Sequence, residues 1–255
     1  DCPESRGLGD VYKRQVFSLV KNALSNHENW DLAWKDPTPK KEYDVVIIGG
    51  GGHGLATAYY LAKEHNITNV AIIEKGWIGG GNVGRNTTII RSNYMHDDNA
   101  LFSEFGMDLW RRMSQDLNYN VMFSPRGIIN LAHSDAQMNT YARRGNSMRL
   151  NGIDAVLLNR EEVREIIPMA DFSENVRFPI FGGLMQPSAG TARHDAVAWG
   201  YARQADDMGV DIIQNCEVIG FDVSAGKING VRTSPREVLT CLLYTSPSPR
   251  DSGQS

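Results

Sequence analysis

The sequence predicts an α/β fold centred on a parallel sheet. Three consecutive segments support this prediction: an apolar run at Tyr43–Ile48, a run of good helix formers at Gly54–His65, and a second apolar run at Asn69–Glu74. Continuous β-branched runs bounded by glycines are typical of strands that are buried on both faces. A strand, a helix and a strand within about 30 residues form a β-α-β unit, which requires parallel strands and a right-handed crossover.

The composition is that of a globular chain and argues against two classes of partner. The 255 residues are 41% apolar and 22% charged, and the formal net charge is −4. A weakly acidic chain lacks the clustered Lys and Arg that nucleic acid or an anionic membrane surface needs. No apolar run approaches the ~20 residues that span a bilayer. We therefore expect no nucleic-acid partner and no membrane segment.

Both ends of the chain resemble translated sequencing adapter. Residues 5–15 (SRGLGDVYKRQ) and 241–251 (CLLYTSPSPRD) have no periodicity, and a back-translation of the second contains the first on its opposite strand. We therefore assign residues 1–15 and 241–255 to adapter; the alternative is a pair of natural disordered tails. Only Cys216 of the three cysteines then remains. A single cysteine cannot form an internal disulfide, which favours a reducing cytoplasm.

Residues 16–41 are predicted to form an N-terminal arm, and residues 42–240 one domain. In the arm, a short amphipathic helix (FSLVKNAL) ends before the two prolines of DPTPKK, because proline disfavours helix in the residue before it. In the domain, a glycine-rich loop follows Glu74. Further elements are predicted in the order helix Asp97–Leu117, strand Arg126–His133, helix Asp135–Leu150, strand 155–159, helix 160–167, strand Val176–Pro187, helix His194–Met208, and a strand followed by a hairpin that turns near Ala225–Gly226.

Side-chain spacing on these helices predicts which faces are buried. On the helix that begins at Asp97, one apolar stripe is formed by Leu101, Phe105, Leu109 and Met113. The paired arginines Arg143 and Arg144 are interpreted as a solvated helix face. No spacing of Cys and His predicts a metal site.

The loop between the first strand and helix carries the first chemical signal. G-x-G-x-x-G is present at Gly49, Gly51 and Gly54, and Glu74 ends the next strand 20 residues later. The dinucleotide fingerprint consists of a strand, a glycine-rich turn, a helix and an acidic residue, in this order. The three glycines allow a tight turn, close approach of a pyrophosphate to the helix N-terminus, and close helix packing. Glu74 would accept hydrogen bonds from an adenosine ribose and disfavour NADP. The alternative is a purely structural glycine turn.

The segment after Glu74 favours FAD over NAD. In an NAD-binding domain, a helix would follow the strand at once. Here a long loop of small and polar residues follows it, which suits close approach of the backbone to a flavin and its diphosphate. The alternative is a flexible surface loop. The predicted FAD-binding residues are Gly49, Gly51, Gly52, His53, Gly54, Glu74, Lys75, Asn82, Arg85, Asn86, Thr87 and Thr88. On the residues alone, His53 could instead be an ordinary loop histidine.

Five segments together resemble one family. DVVIIGGGGHGLATAYYLAKEH, EKGWIGGGN, GRNTTIIRSNY, SQDLNYNVMFS and ARHDAVAWGYAR are similar to the beta subunits of heterotetrameric sarcosine oxidases, in the D-amino-acid/glycine oxidase group of FAD-dependent oxidoreductases. The resemblance covers nearly all of Val16–Thr240 but only the N-terminal part of such a subunit. It implies a Rossmann-like FAD-binding domain with a parallel sheet, plus part of an α+β substrate and interface domain at about 95–190, with the C-terminal part missing.

The resemblance also implies an activity and an assembly. Such subunits oxidise sarcosine (N-methylglycine) by hydride transfer to non-covalent FAD and pass the electrons to covalent FMN, where oxygen yields hydrogen peroxide. With alpha, gamma and delta subunits they produce glycine and a folate-captured one-carbon unit. This truncated chain alone is expected to be inactive. The alternatives are another oxidase or dehydrogenase of the group, acting on dimethylglycine, glycine or a D-amino acid, and an inactive FAD-binding fragment.

Four further site residues follow from the resemblance. Arg91 would bind the substrate carboxylate, His194 would carry the FMN with Arg193 beside it, and the backbone of Val218 would lie against adenine. Arg91 can bind a carboxylate bidentately, and His194 opens a helix whose terminus favours a phosphate. On the residues alone, Arg91 could instead form a structural ion pair, and His194 could be a capping or core histidine.

Overall fold

The computed structural model describes residues 17, 19–26, 28, 34, 35, 37–173 and 175–234, and the backbone of 237–245. The chain divides into two compact units after Lys35. In the first unit, residues 17 and 19–24 are helical, within the segment predicted to hold the arm helix. The predicted adapter segment 1–15 lies outside the described residues, as do residues 246–255.

The second unit contains eleven strands and five α-helices among the described residues. In chain order they are β1 (Glu42–Ile48), α1 (Gly52–His65), β2 (Val70–Ile73), β3 (Ile89–Ile90), α2 (Asp97–Asp116), β4 (Ile128–Ala132), α3 (Asp135–Leu150), β5 (Val156–Asn159), α4 (Arg160–Ile166), β6 (Gly182–Gln186), β7 (Gly190–Thr191), α5 (His194–Asp207), β8 (Asp211–Ile213), β9 (Glu217–Ser224), β10 (Lys227–Ser234) and β11 (Glu237–Thr245).

The largest sheet has six strands in the order β8-β2-β1-β11-β10-β9. The first four strands are parallel to one another, and the last two continue the sheet in antiparallel pairing. All four residues of β2 are buried, as expected for a strand covered on both faces. The predicted α/β class with a parallel sheet is therefore confirmed.

A second sheet has three antiparallel strands in the order β4-β6-β5. Helices α3 and α4 pack on β6, and helix α1 packs on α5. The short antiparallel pair β3–β7 joins Ile89 to Thr191 and Ile90 to Gly190. This pair places the segment after the first β-α-β unit beside the segment that leads into α5. The predicted boundaries of the inserted portion at about 95–190 remain predictions.

Two element predictions need correction. The strand predicted at Val176–Pro187 is confined to Gly182–Gln186; Pro179, which lacks an N–H donor, lies in the excluded part. The predicted stripe of α2 is wrong in its first half, because Leu101 is 55% exposed and Phe105 62% exposed. Of the predicted stripe only Met113 is buried, and the other buried residues of the helix are Ala100 and Met107.

No prediction had included β11, although it lies between β1 and β10 in the sheet. Its register pairs Val45 of β1 with Leu242. The strand therefore crosses the boundary predicted between Thr240 and Cys241. The assignment of residues 241–255 to adapter stays a prediction.

Candidate functional site

The turn from β1 into α1 has the geometry that the glycine fingerprint predicts. Gly49 has φ +107°, which a residue with a side chain rarely adopts. A Cβ on Gly54 would lie 2.0 Å from the carbonyl oxygen of Gly49, so α1 can approach β1 only through a glycine. Beside Gly51, by contrast, the nearest atom to an added Cβ is a methyl carbon of Val83 at 3.9 Å. Gly49 and Gly54 thus determine the shape of the turn, and the space beside Gly51 is open.

The N-terminus of α1 is suited to an anion. No side chain caps the helix, and its first turn holds no acidic residue. The first N–H groups of a helix have no partner within the helix, and they carry the positive end of its dipole. A diphosphate beside Gly51 would therefore meet both backbone donors and a favourable field.

Glu74 is held at the end of β2 by two backbone hydrogen bonds. One carboxylate oxygen accepts from the N–H of Gly50 and the other from the N–H of Gly76, both at 2.8 Å. An ionised carboxylate has about four lone-pair positions, so each oxygen can accept a second hydrogen bond. Glu74 thus fixes both glycine-rich loops and can still accept bonds from ribose hydroxyls.

A pocket of about 440 Å³ opens at this end of the sheet. Its volume lies within the range of small-molecule sites. Five predicted residues line it, and five lining residues had not been predicted. The predicted residues are Gly51, Glu74, Lys75, Asn82 and Arg85, and the others are Gly76, Trp77, Gly79, Gly80 and Gly81. The glycine-rich turn, the N-terminus of α1 and the carboxylate of Glu74 together fit the adenosine diphosphate half of FAD.

Trp77 is the largest lining residue that sequence reasoning missed. Its side chain is 69% exposed. A Cβ on Gly80 would lie 2.8 Å from the indole ring, so Gly80 leaves the space in which Trp77 sits. The next residue, Ile78, donates its N–H to the side-chain oxygen of Gln214 at 3.0 Å. A tryptophan among glycines was the available sequence signal for Trp77, whereas no sequence signal indicated Gln214.

Two of the polar residues predicted to contact FAD shape the loop itself. Asn86 donates to the carbonyl of Val83 at 2.9 Å and accepts from the N–H of Thr88 at 2.7 Å. Thr88 has φ +60°, which is uncommon for a residue other than glycine, and its carbonyl accepts from the N–H of Ala192 at 3.1 Å. This contact ties the loop to the approach to His194. Thr87 is exposed.

The remaining predicted FAD contacts occupy less distinctive positions. Gly52 begins α1 and is half-buried, and His53 follows it with an exposed side chain. Val218 lies in β9, where it packs against the core cluster that includes Tyr43 and Val46. It is not among the residues that line the pocket. Contacts of these three residues with FAD remain predictions.

Arg91, directly after β3, lies in a cluster of polar side chains. It donates through Nη1 to the side-chain oxygen of Asn93 at 2.9 Å, and its guanidinium lies 5.3 Å from the ring centre of Tyr94. Arg144 of α3 donates to the same oxygen at 3.2 Å and also to the Asn93 carbonyl. The interpretation of Arg144 as a solvated residue is therefore wrong, although its neighbour Arg143 is exposed.

The backbone beside Arg91 is anchored from two directions. Ser92 is fully buried; its N–H donates to the side chain of Gln186 at 3.1 Å, and its hydroxyl donates to Glu104 at 2.6 Å. Glu104 also pairs with Arg111 at 3.2 Å. Strand β6 and helix α2 thus hold the segment that presents Arg91. Among residues 37–173 and 175–234, no carboxylate forms an ion pair with Arg91.

His194 begins α5, three residues after β7. Its side chain is half-buried, and its ring nitrogen Nδ1 is buried without a hydrogen-bond partner. Arg193 donates to both carboxylate oxygens of Asp195, at 2.9 and 3.2 Å. Although burial raises the pKa of Asp195, these bonds and the N–H of Ala196 outweigh it and hold the pKa below its usual value. The positive charge of Arg193 is therefore partly balanced.

The described part of the chain holds neither a membrane-spanning helix nor a cluster of metal-binding side chains. Its helices are all too short or too polar to cross a membrane. No three His, Cys, Asp or Glu side chains within it are grouped as a metal would require.

Comparison with known proteins places these features in context. The family model DAO, FAD dependent oxidoreductase, matches residues 44–245. Sarcosine oxidase subunit beta of Rhizobium meliloti (strain 1021) is 61% identical over 219 residues, which are 86% of this chain and 52% of that protein. The Arthrobacter sp. subunit beta is 52% identical over 207 residues, 81% of this chain and 51% of that protein. The chain thus spans about half the length of the curated relatives it matches.

The fold is also similar to that of solved enzymes. The crystal structure of L-proline dehydrogenase from P. horikoshii superposes with a TM-score of 0.75 at 27% identity, covering 83% of this chain and 54% of that one. Glycine oxidase from Bacillus cereus gives a TM-score of 0.70 at 24% identity, covering 80% and 55%. The second likeness concerns the fold alone.

Proposed function

Because this chain belongs to the DAO family of FAD-dependent oxidoreductases, we propose that it is part of the beta subunit of a sarcosine oxidase. The substrate is sarcosine, and the products are glycine, a folate-captured one-carbon unit and hydrogen peroxide. The observation that carries the proposal is the 61% identity to the Rhizobium meliloti subunit. That similarity extends over the segment that holds both the Glu74 pocket and Arg91.

The residues of this chain bind and orient, while the cofactor supplies the redox chemistry. When bound, FAD provides the group that accepts a hydride from the carbon beside the amine nitrogen. The turn at Gly51 and the carboxylate of Glu74 hold its adenosine diphosphate half. Arg91 binds the carboxylate of the substrate, because a guanidinium can donate hydrogen bonds to both carboxylate oxygens. This contact determines which C–H bond of the substrate faces the reacting centre.

The proposed substrate is tested by flavin reduction in the complete enzyme that contains this chain. Under anaerobic conditions, sarcosine is expected to abolish the visible absorbance of the flavin faster than dimethylglycine, glycine or D-alanine does. With oxygen, each sarcosine consumed is expected to yield one glycine and one hydrogen peroxide. Faster reduction by another of these amines would favour another oxidase of the group. Absence of reduction by all four would leave an FAD-binding protein without this activity.

We propose further that His194 carries covalently attached FMN and that alpha, gamma and delta subunits complete the assembly. A half-buried ring with an unpartnered Nδ1 at the start of a 14-residue helix supports the first point. The helix terminus favours the FMN phosphate, whereas Arg193 contributes less because it already binds Asp195. A cytoplasmic location is proposed on the basis of Cys216, a free and buried thiol.

Replacement of His194 is expected to remove the covalent flavin. In His194→Asn, the denatured subunit should lose the added mass of FMN and its flavin fluorescence, while non-covalent FAD should remain at its normal content. The control is His65→Asn, because His65 is an exposed residue in the last turn of α1. Covalent flavin that persists in His194→Asn would exclude His194 as the attachment residue.

A further inference from the structure

Two arginine side chains meet at one neutral group beside β3. The side-chain oxygen of Asn93 accepts from Arg91 at 2.9 Å and from Arg144 at 3.2 Å. Arg144 comes from the middle of α3 and lies 51 residues from Asn93 in the sequence. The tertiary fold therefore holds two guanidinium groups around a single amide oxygen.

These two positive charges are not balanced by an acidic side chain. In the described ranges 37–173 and 175–234, neither Arg91 nor Arg144 has an ion pair, and the nearby Glu104 is already bound by Ser92 and Arg111. Burial lowers the pKa of Arg144, and the charge of Arg91 lowers it further. Like charges that are partly buried side by side raise the free energy of the fold unless an anion approaches them.

Two further donors in the cluster lack partners. Asn93 is fully buried, and its side-chain nitrogen has no hydrogen bond; the same is true of Nε of Arg144. Buried polar groups are nearly always hydrogen-bonded, so two unpartnered donors in one cluster require an explanation, and a bound anion would supply one. Every unpartnered group here is a donor, and donors attract an anion.

We propose that Arg144 is a positioning residue of the carboxylate subsite: through Asn93 it orients Arg91, and it adds a second positive charge that raises the affinity for a small carboxylate. This inference deepens the proposed function, because the carboxylate is that of the amino-acid substrate. Arg91 makes the contact, and its Nη1 atom is fixed by Asn93. Arg144 fixes Asn93 in turn, through both its backbone and its side chain.

The test uses the complete enzyme and two probes, acetate and sarcosine. The dissociation constant of acetate is measured from the change it causes in flavin absorbance, and KM and kcat are measured for sarcosine. Arg144→Gln is expected to raise the dissociation constant and KM about tenfold each. We expect kcat and FAD content to change by less than about twofold. Arg144→Lys keeps the charge but not the planar fork, so an intermediate effect is expected.

Two other variants make the test specific. Arg143→Gln alters an exposed residue of the same helix, whose side chain contacts Thr140 at 3.5 Å, and it is expected to leave all values unchanged. Asn93→Asp retains the shape and the acceptor of the wild-type residue but places an internal carboxylate between the two arginines. It is expected to weaken acetate binding at least as much as Arg144→Gln does.

The outcomes separate this inference from the proposed function. Unchanged acetate binding and unchanged KM in both Arg144→Gln and Asn93→Asp would overturn it, even if sarcosine is the substrate. Weaker acetate binding in these variants would support it, even if the wild-type enzyme does not oxidise sarcosine. If Arg144→Gln loses its FAD, the acetate affinity of Asn93→Asp decides.

Discussion

Replacement of Gly54 by alanine is expected to destabilise the protein by about 3 kcal/mol or more and to abolish FAD binding. The added Cβ would lie 2.0 Å from the carbonyl oxygen of Gly49 and 3.2 Å from a methyl carbon of Ile47. The oxygen cannot move aside easily, because the N–H of the same peptide unit, that of Gly50, donates to the carboxylate of Glu74 at 2.8 Å. The start of α1 would have to shift away from β1, and the backbone donors proposed to bind the diphosphate would shift with it.

Thermal unfolding and the FAD content of the purified protein measure these two effects. Gly106→Ala is the matched control: Gly106 lies inside α2, and an added Cβ there meets no atom within 4 Å. Alanine is the better helix former, so this variant is expected to gain up to about 1 kcal/mol. Wild-type stability and FAD content in Gly54→Ala would contradict the close packing of α1 on β1.

Replacement of Glu74 by glutamine is expected to weaken FAD binding about tenfold or more. Each carboxylate oxygen accepts a backbone N–H at 2.8 Å, whereas the amide of glutamine has only one oxygen. Its nitrogen would face either Gly50 or Gly76, so that two donors oppose each other. A donor without an acceptor costs about 1–3 kcal/mol, and 1.4 kcal/mol corresponds to a tenfold change in affinity. The amide also offers fewer acceptors to the ribose.

Quenching of flavin fluorescence on binding to the FAD-free protein gives the dissociation constant. Glu64→Gln changes the same functional group at an exposed position near the end of α1, where Glu64 lies 3.8 Å from Lys63. We expect this control to bind FAD as the wild type does. An equal affinity of Glu74→Gln and Glu64→Gln for FAD would show that Glu74 has no part in the cofactor site.

The first β-α-β unit could be predicted from the sequence because its signals are local. Apolar runs at Val45–Ile48 and Val70–Ile73 define β1 and β2, and glycines mark the turn between β1 and α1. The hairpin turn near Ala225–Gly226 was equally local, and both residues have positive φ, +50° and +74°. Local sequence was less informative in α2, where apolar residues are present on more than one face.

The sequence by itself indicated the turn between β1 and α1 as the dinucleotide-binding segment, because Gly49 needs a positive φ and Gly54 allows α1 to approach β1. Only the tertiary structure decided that Trp77 lines the pocket, that β11 pairs with β1, and that Arg144 reaches Asn93. These contacts join residues that are distant in the sequence and close together in the fold. Their energy comes from burial and from the pairing of polar groups, which depend on neighbours that are distant in the sequence. The sequence shows Arg144 beside Arg143 on a polar helix. In the fold, Arg144 points inward to Asn93 and Arg143 is exposed to water.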